Sequence, residues 1–473
     1  MKNILWLLTF FLFINTASPS LHTDQRSESY SDTTTVEEML YITGEDKPYS
    51  GVIITAFPDG SVKEIIQYKD GIAHGEFLLY YESGNLTIKA FHKEGRFHDK
   101  LTVYYEDGSI KAETIYHMGF LNGLSTGYYP DGSIQARGTY SMGRREGAFS
   151  EYYDSGQIHT YKYYGEDLAQ GRWIYYYENG QIQGSENYMD GKLSGKWFSF
   201  YENGQTEGMG SFKDDMRKGE FTFYFEDGSI MSEETYTKDE LTGTFTYYYP
   251  DGTILEKGQY MKGRPHGQFT TYYSNGQLES LVNWKMGVEE GKSFFYYDNG
   301  TLAGTSQWQD AKPHGEAIYY YPDGSIQSRE MWSDGLENGS FIYYHENGKK
   351  ISQSSWKAGV PHGRFIYYYE NGQAELTEMW SEGELTGERL SYFMSGALKE
   401  RRSYVDGSLD GKFTSYYENG RVRGEGEFVK GIIEDRFRSY YPNGKVMEDR
   451  RYKNGTLSQW ITYDKAGKKE VLF

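Results

Sequence analysis

The chain predicts an all-β fold, an elongated, twisted and curved antiparallel sheet of stacked 24-residue β-hairpin repeats in the manner of a solenoid. Three observations predict it. Asn-Gly and Asp-Gly pairs recur at a constant interval, the residues beside them alternate between aromatic and polar, and the apolar content lies in Tyr more than in Leu or Val. Tyr 48, Gly 57 and Pro 10 describe aromatic strands joined by glycine turns. Aromatics at 18% separate the chain from a disordered one in spite of a mean hydropathy of −0.76. A length of 473 residues would ordinarily suggest several domains, but one short repeated unit replaces that expectation with a single array.

The amino terminus stands outside the pattern. Lys2, the apolar run Ile4 to Ile14 and the small residues Thr16-Ala17-Ser18 match a removable secretory signal over residues 1–18. The apolar run is shorter than the roughly 20 residues that span a bilayer. Residues 19–39 are rich in Ser, Thr and Asp and read as a polar linker, and residues 40–59 as a degenerate amino-terminal cap repeat. Export to the periplasm, the cell surface or the medium is expected.

The array itself runs over residues 60–467, with a short tail at 468–473. Its turn glycines are Gly60, Gly84, Gly108, Gly132, Gly156, Gly180, Gly204, Gly228, Gly252, Gly276, Gly300, Gly324, Gly348, Gly372, Gly396, Gly420 and Gly444, each 24 residues from the next. Counting the turn glycine as zero, an aliphatic recurs at plus two (Ile134, Ile182), an aromatic at plus eight (Tyr140, Tyr188) and further glycines at plus eleven and plus fifteen (Gly191, Gly195). Phe or Trp follows at plus seventeen (Phe149, Trp173), and a Tyr pair such as Tyr176-Tyr177 closes the unit. A two-residue type I′ turn at Asn179-Gly180 would place Tyr177 opposite Ile182, Tyr175 opposite Gly184 and Trp173 opposite Glu186, all on one face. The small residue at plus four (Ala136, Gly184, Gly208) then gives each large ring a gap to fill, and the opposite face is expected to be wet. About seventeen such units would make a sheet on the order of 160 Å long, curved so that the aromatic face lies inside a gutter or spiral. Self-association through that face is the competing way to cover it. Lys468 and Lys469 guard the last edge.

Units such as YYENGQIQGSENYMDGKLSG resemble the MORN-variant repeats of bacterial YwqK-type proteins, and the likeness runs from about Leu40 to the end. The resemblance implies stacked hairpins without enzymatic activity of their own and a role as scaffold or adaptor; some relatives of this type are antitoxin-like.

Composition and spacing exclude several chemistries. A net charge of −19 disfavours a nucleic-acid partner and anionic lipid. Cysteine is absent, so disulfides and thiolate chemistry are absent with it. His74, His98, His266, His314 and His362 share one template position; the last three lie two repeats apart, about 19 Å by ladder spacing, too far to share a metal. Acidic turn pairs such as Glu106-Asp107 lack the repeat of calcium-binding β-rolls. No Ser, His and Asp set stands apart from the repeat, so no catalytic residue and no cofactor are expected.

One feature breaks the uniformity: Trp284, Trp308, Trp332, Trp356 and Trp380 fill plus eight in five consecutive repeats. They are the candidate partner-binding residues, as an exposed aromatic strip for a protein or a glycan, or else they fill a wider part of the interior. The expected function is a non-catalytic exported scaffold that binds a protein; the alternatives are a neutralising partner of a toxin and a glycan-binding surface module.

Overall fold

The computed structural model describes residues 33–36, 39–43 and 46–472, and every regular element among them is a strand. The leader expected over residues 1–18 lies outside the described residues, as does most of the linker, although Thr33–Val36 pairs with Met39–Ile42 in a short hairpin. Two compact units are present, Met1–Ile230 with Tyr236–Asp239, and Met231–Thr235 with Glu240–Phe473. Each is an antiparallel sheet whose strands pair in chain order. In the first, Gly51–Ala56 pairs with Val62–Lys69, which pairs with Ile72–Tyr80. In the second, Gly243–Tyr248 pairs with Ile254–Met261, which pairs with Gly267–Tyr272. Among the described strands Gly51–Ala56 is bonded only to Val62–Lys69, and Lys469–Val471 only to Thr456–Tyr463, so neither sheet closes on itself.

The two kinds of turn differ from expectation in an instructive way. At Asn179-Gly180 the loop has three residues, because Gly180 N–H donates to Tyr177 O at 2.9 Å while Tyr177 N–H donates to Gln181 O at 2.8 Å. This is a type I turn closed by a glycine bulge, with the left-handed conformation confined to Gly180 at φ 86°. The Asn179 side chain braces the turn, its Oδ1 accepting the Gln181 N–H at 2.9 Å. The extra residue moves the pairing: Ile182 faces Tyr176 instead of the expected Tyr177, whereas Tyr175 does face Gly184 and Trp173 does face Glu186. The type I′ turn exists at the other end of the hairpin, where Asp190 (φ 50°) and Gly191 (φ 80°) link Met189 to its partner Lys192. The glycine at plus fifteen is a bulge, with Gly195 at φ 123° just past the break between Lys192–Leu193 and Gly195–Phe200.

Most repeats are tied to the next at both margins. In most pairs the second Tyr sends its hydroxyl to a backbone carbonyl 23 residues on: Tyr153 to Tyr176 O at 2.8 Å, Tyr177 to Phe200 O at 2.8 Å, Tyr273 to Tyr296 O at 2.8 Å. Asn turns add a second tie, as when Asn203 Nδ2 donates to Glu226 O at 3.0 Å. Asp turns instead close locally, Asp107 Oδ1 accepting both the N–H and the O–H of Ser109 at 2.8 and 2.6 Å, and those bonds hold the Asp107 carboxyl below its usual range. On the opposite margin the second residue of the type I′ turn donates backward, Gly191 N–H to Ala169 O at 2.9 Å.

Rings fill one face. Phe149 lies between Tyr140 and Tyr164 at 5.3 and 5.2 Å, and Trp173 continues the row to Tyr188 at 4.4 Å. Beneath them the bare backbone of a glycine at plus six makes room: a Cβ on Gly138 would stand 2.1 Å from Phe149, and one on Gly210 2.3 Å from Phe221. The expected fit of large against small is therefore found at plus six as well as at plus four. Toward the amino terminus the row turns aliphatic, with Phe77, Ala90, Leu101 and Tyr116 buried together and His92 stacked on Phe97 at 4.5 Å. Burial lowers the His92 pKa to about 4. The other face is not uniformly wet, because Thr102, Thr126, Ser150, Ser185 and Thr270 are buried on it among the first tyrosines of the pairs.

Three outcomes test this packing. Tyr177→Phe removes one inter-repeat hydroxyl bond and should cost about 1 kcal/mol of local stability, whereas Phe393→Tyr should add one of similar size, both read as amide exchange in the flanking strands. Gly138→Ala should cost about 1–3 kcal/mol by overpacking Phe149, measured by urea unfolding. His92 binds its proton more weakly when folded, so local stability is full above pH ~6.5 and falls by on the order of 2 kcal/mol as pH drops toward about 4. His92→Phe should abolish that slope in exchange measurements at pH 7 and pH 5.

The aromatic face of the second unit as candidate functional site

The plus-eight position sits on the ring-bearing face, Trp284 opposite Gly267 and against Phe269, and Trp380 opposite Gly363 and against Phe365. Trp284, Trp308, Trp332, Trp356 and Trp380 are all half-buried there. Phe341 joins Trp332 and Trp356 at 5.3 and 6.3 Å, Phe365 joins Trp356 and Trp380 at 5.5 and 5.8 Å, and Phe269 meets Trp284 at 6.0 Å. Their indole N–H groups are largely spent on the same face. Trp308 and Trp356 donate to Ser306 and Ser354 Oγ at 2.9 and 2.8 Å, and Trp332 and Trp380 to Glu330 and Glu378 Oε2 at 3.3 and 3.2 Å. The column is thus partly exposed and firmly seated, with the rings acting as walls more than as free anchors.

A second row, at plus nineteen, presents more surface. Phe295, Tyr343 and Tyr367 are 36%, 38% and 39% exposed, and Tyr319 continues the same template position. Burial of the hydroxyl end and the charge of Glu330 push the Tyr343 phenol up to about 12, and the same causes act on Tyr319, while burial and Glu378 raise Tyr367. The phenols therefore stay neutral at physiological pH. The sequence held a signal for this row that pairs of tyrosines hide: the run is three long at Tyr319-Tyr320-Tyr321 and Tyr367-Tyr368-Tyr369.

Three of the five template histidines share a structural task, whereas the Nδ1 of His314 is buried without a hydrogen-bond partner. His98, His266 and His362 each accept, through Nδ1, a backbone N–H from the first residue of the next type I′ turn, at 3.3, 3.4 and 3.4 Å. Asn122 and Asn338 do the same work at that position with Oδ1. Among the described residues no group of three or more His, Asp or Glu side chains is placed to hold a metal ion. No helix among them is long and apolar enough to cross a membrane.

The repeat has known counterparts. The MORN repeat variant family matches residues 73–94, 121–142, 169–190, 193–214, 265–286, 289–310, 337–358, 409–430 and 436–454, and the MORN repeat family matches residues 305–326. The N-terminal region of the histone H3 K4-specific methyltransferase SET7 matches residues 212–265 and 356–414. No curated protein matches the chain. Among solved structures, a TcdB2-TccC3-Cdc42 crystal structure shares 13% identity over 91% of this chain and 24% of its own, at a TM-score of 0.15. The Photorhabdus luminescens Tc holotoxin pore shares 12% over 91% and 24%, also at 0.15. The chain spans about a quarter of the length of those chains. The matched segments recur along both units, and they support a MORN-repeat protein.

Proposed function

We propose that this protein is a non-catalytic, exported repeat scaffold that holds a protein partner against the aromatic face of its second unit. MORN repeats generally mediate protein or membrane interactions, which supports an interaction role. The observation that carries the choice of surface is the exposed row Phe295, Tyr343 and Tyr367 beside the seated tryptophans. Large rings on a rigid backbone lose little side-chain entropy when covered, and seated neighbours keep the surface in one shape, which are the features of binding anchors. The residues that recur in every repeat are occupied with turns and ties, which supports a role in shape over one in reaction. Export rests on the leader-like residues 1–18.

Affinity capture with the tagged mature chain from the periplasm and medium should recover one stoichiometric protein. Recovery should fall more than about tenfold with Tyr343→Ala plus Trp332→Ala, a loss of about 1.4 kcal/mol or more, while far-ultraviolet dichroism stays unchanged. Undiminished recovery by that variant would contradict the assignment. A nuclease-like or membrane-active protein as the captured partner would specify the antitoxin-like form of this function.

A further inference from the structure

We propose that a cleft at the end of the tryptophan column binds a neutral sugar unit of an oligosaccharide. The cleft arises where the repeat template changes. Plus nineteen is Phe295, Tyr319, Tyr343 and Tyr367 in four successive repeats and then Ser391, while plus seventeen changes from Phe341 and Phe365 to Arg389. A missing ring at Ser391 leaves a space of about 370 Å³ beside Tyr367, within the range of about 300–1,000 Å³ typical of small-molecule sites.

The walls have the chemistry of saccharide recognition. Tyr367 is 39% exposed and Leu376 adds an apolar side chain to the lining, which together suit the C–H face of a pyranose. At the polar end Arg389 Nε donates to Glu378 Oε1 at 2.9 Å, and Glu378 Oε2 accepts the Trp380 indole N–H at 3.2 Å. The Glu378 side chain is only 11% exposed, so the carboxylate is held in one orientation before any ligand arrives. A guanidinium and a carboxylate side by side offer donors and acceptors to a polyhydroxylated ligand, whereas an apolar side chain would cover both without compensating them. Charge selects further: Glu375 and Glu378 are balanced by Arg389 and Lys399 around the rim, so nothing favours a net anion or cation. Ladder spacing puts plus-nineteen rings of neighbouring repeats about 10 Å apart, the length of two sugar units in an extended chain, so a ligand seated at Tyr367 can continue over Tyr343.

This inference does not rest on the scaffold reading, since its diagnostic substitution leaves Tyr343 and Trp332 in place. Ser391→Tyr restores the residue that the three preceding repeats carry and fills the cleft. Ser415→Tyr makes the same change one repeat further on, outside it. The full chain should be titrated calorimetrically, and by Trp fluorescence, with hexasaccharides of β-1,4-linked glucose and of N-acetylglucosamine, and with a galacturonic acid hexamer. Saturable binding of a neutral hexamer is expected, weakened more than about tenfold by Ser391→Tyr and by Tyr367→Ala, and unchanged by Ser415→Tyr. Absence of binding by either neutral hexamer, tighter binding of the acidic one, full affinity in Ser391→Tyr, or selection of a peptide by the cleft in its place would each overturn the proposal.

Discussion

A ring lying over a residue with no side chain is the contact from which the rest of the structure follows. Gly138 under Phe149, Gly210 under Phe221 and Gly426 under Phe437 let aromatic side chains lie flat on the backbone of the adjoining strand. Within each unit the rings are buried by neighbours in the same sheet, and Phe221 and Phe245 reach 2% exposure that way. In some repeats plus six instead carries a polar side chain that bonds to a ring substituent: Glu186 accepts hydroxyls from Tyr175 and Tyr188 at 2.9 and 2.8 Å. Burial without an opposing layer has a consequence, because each repeat completes the core of the one beside it and has little core of its own.

The constant 24-residue interval follows from the ties between repeats. A tyrosine hydroxyl at one margin and a type I′ turn amide at the other both reach a fixed backbone atom in the adjoining repeat, as Tyr177 and Gly191 show. An inserted residue in a strand would send its side chains to the wrong face and pull one margin out of reach. The positive-φ positions Gly180, Gly191 and Gly195 absorb the three departures from ideal pairing that each hairpin needs.

Much of this was legible in the sequence. The period, the antiparallel hairpins, the face shared by plus eight and plus seventeen, and the pairs Trp173 with Glu186 and Tyr175 with Gly184 follow from alternation and turn chemistry. The turn type was not, because Asn-Gly suits both a two-residue type I′ loop and a three-residue loop with a glycine bulge, and the backbone adopts the three-residue form at Ser155-Gly156 as it does at Asn179-Gly180. The buried hydroxyls on the second face were not either: Thr and Ser read as polar by composition, yet ladder neighbours cover Thr102 and Ser185. The tryptophans drew attention as a rare residue in an unbroken column, while the more exposed tyrosines at plus nineteen were hidden by a residue type found in every repeat. Ser391 and Arg389 are departures from a pattern, and what they open becomes visible only when the preceding rings are placed in space.

Function in such a molecule resides in where the template is broken. The central physical claim is that ring continuity along the face sets the local stability of each repeat, and native-state hydrogen exchange under rising urea tests it most directly. Amides of the strands around the unbroken row Tyr140, Phe149, Tyr164, Trp173 and Tyr188 should be the last in the first unit to exchange. In the second unit, strands around Ser293 and Ala317, where the plus-seventeen ring is missing, should open before those around Phe341 and Phe365. Equal opening free energies along each unit, or earlier opening of the ring-rich repeats, would contradict the account.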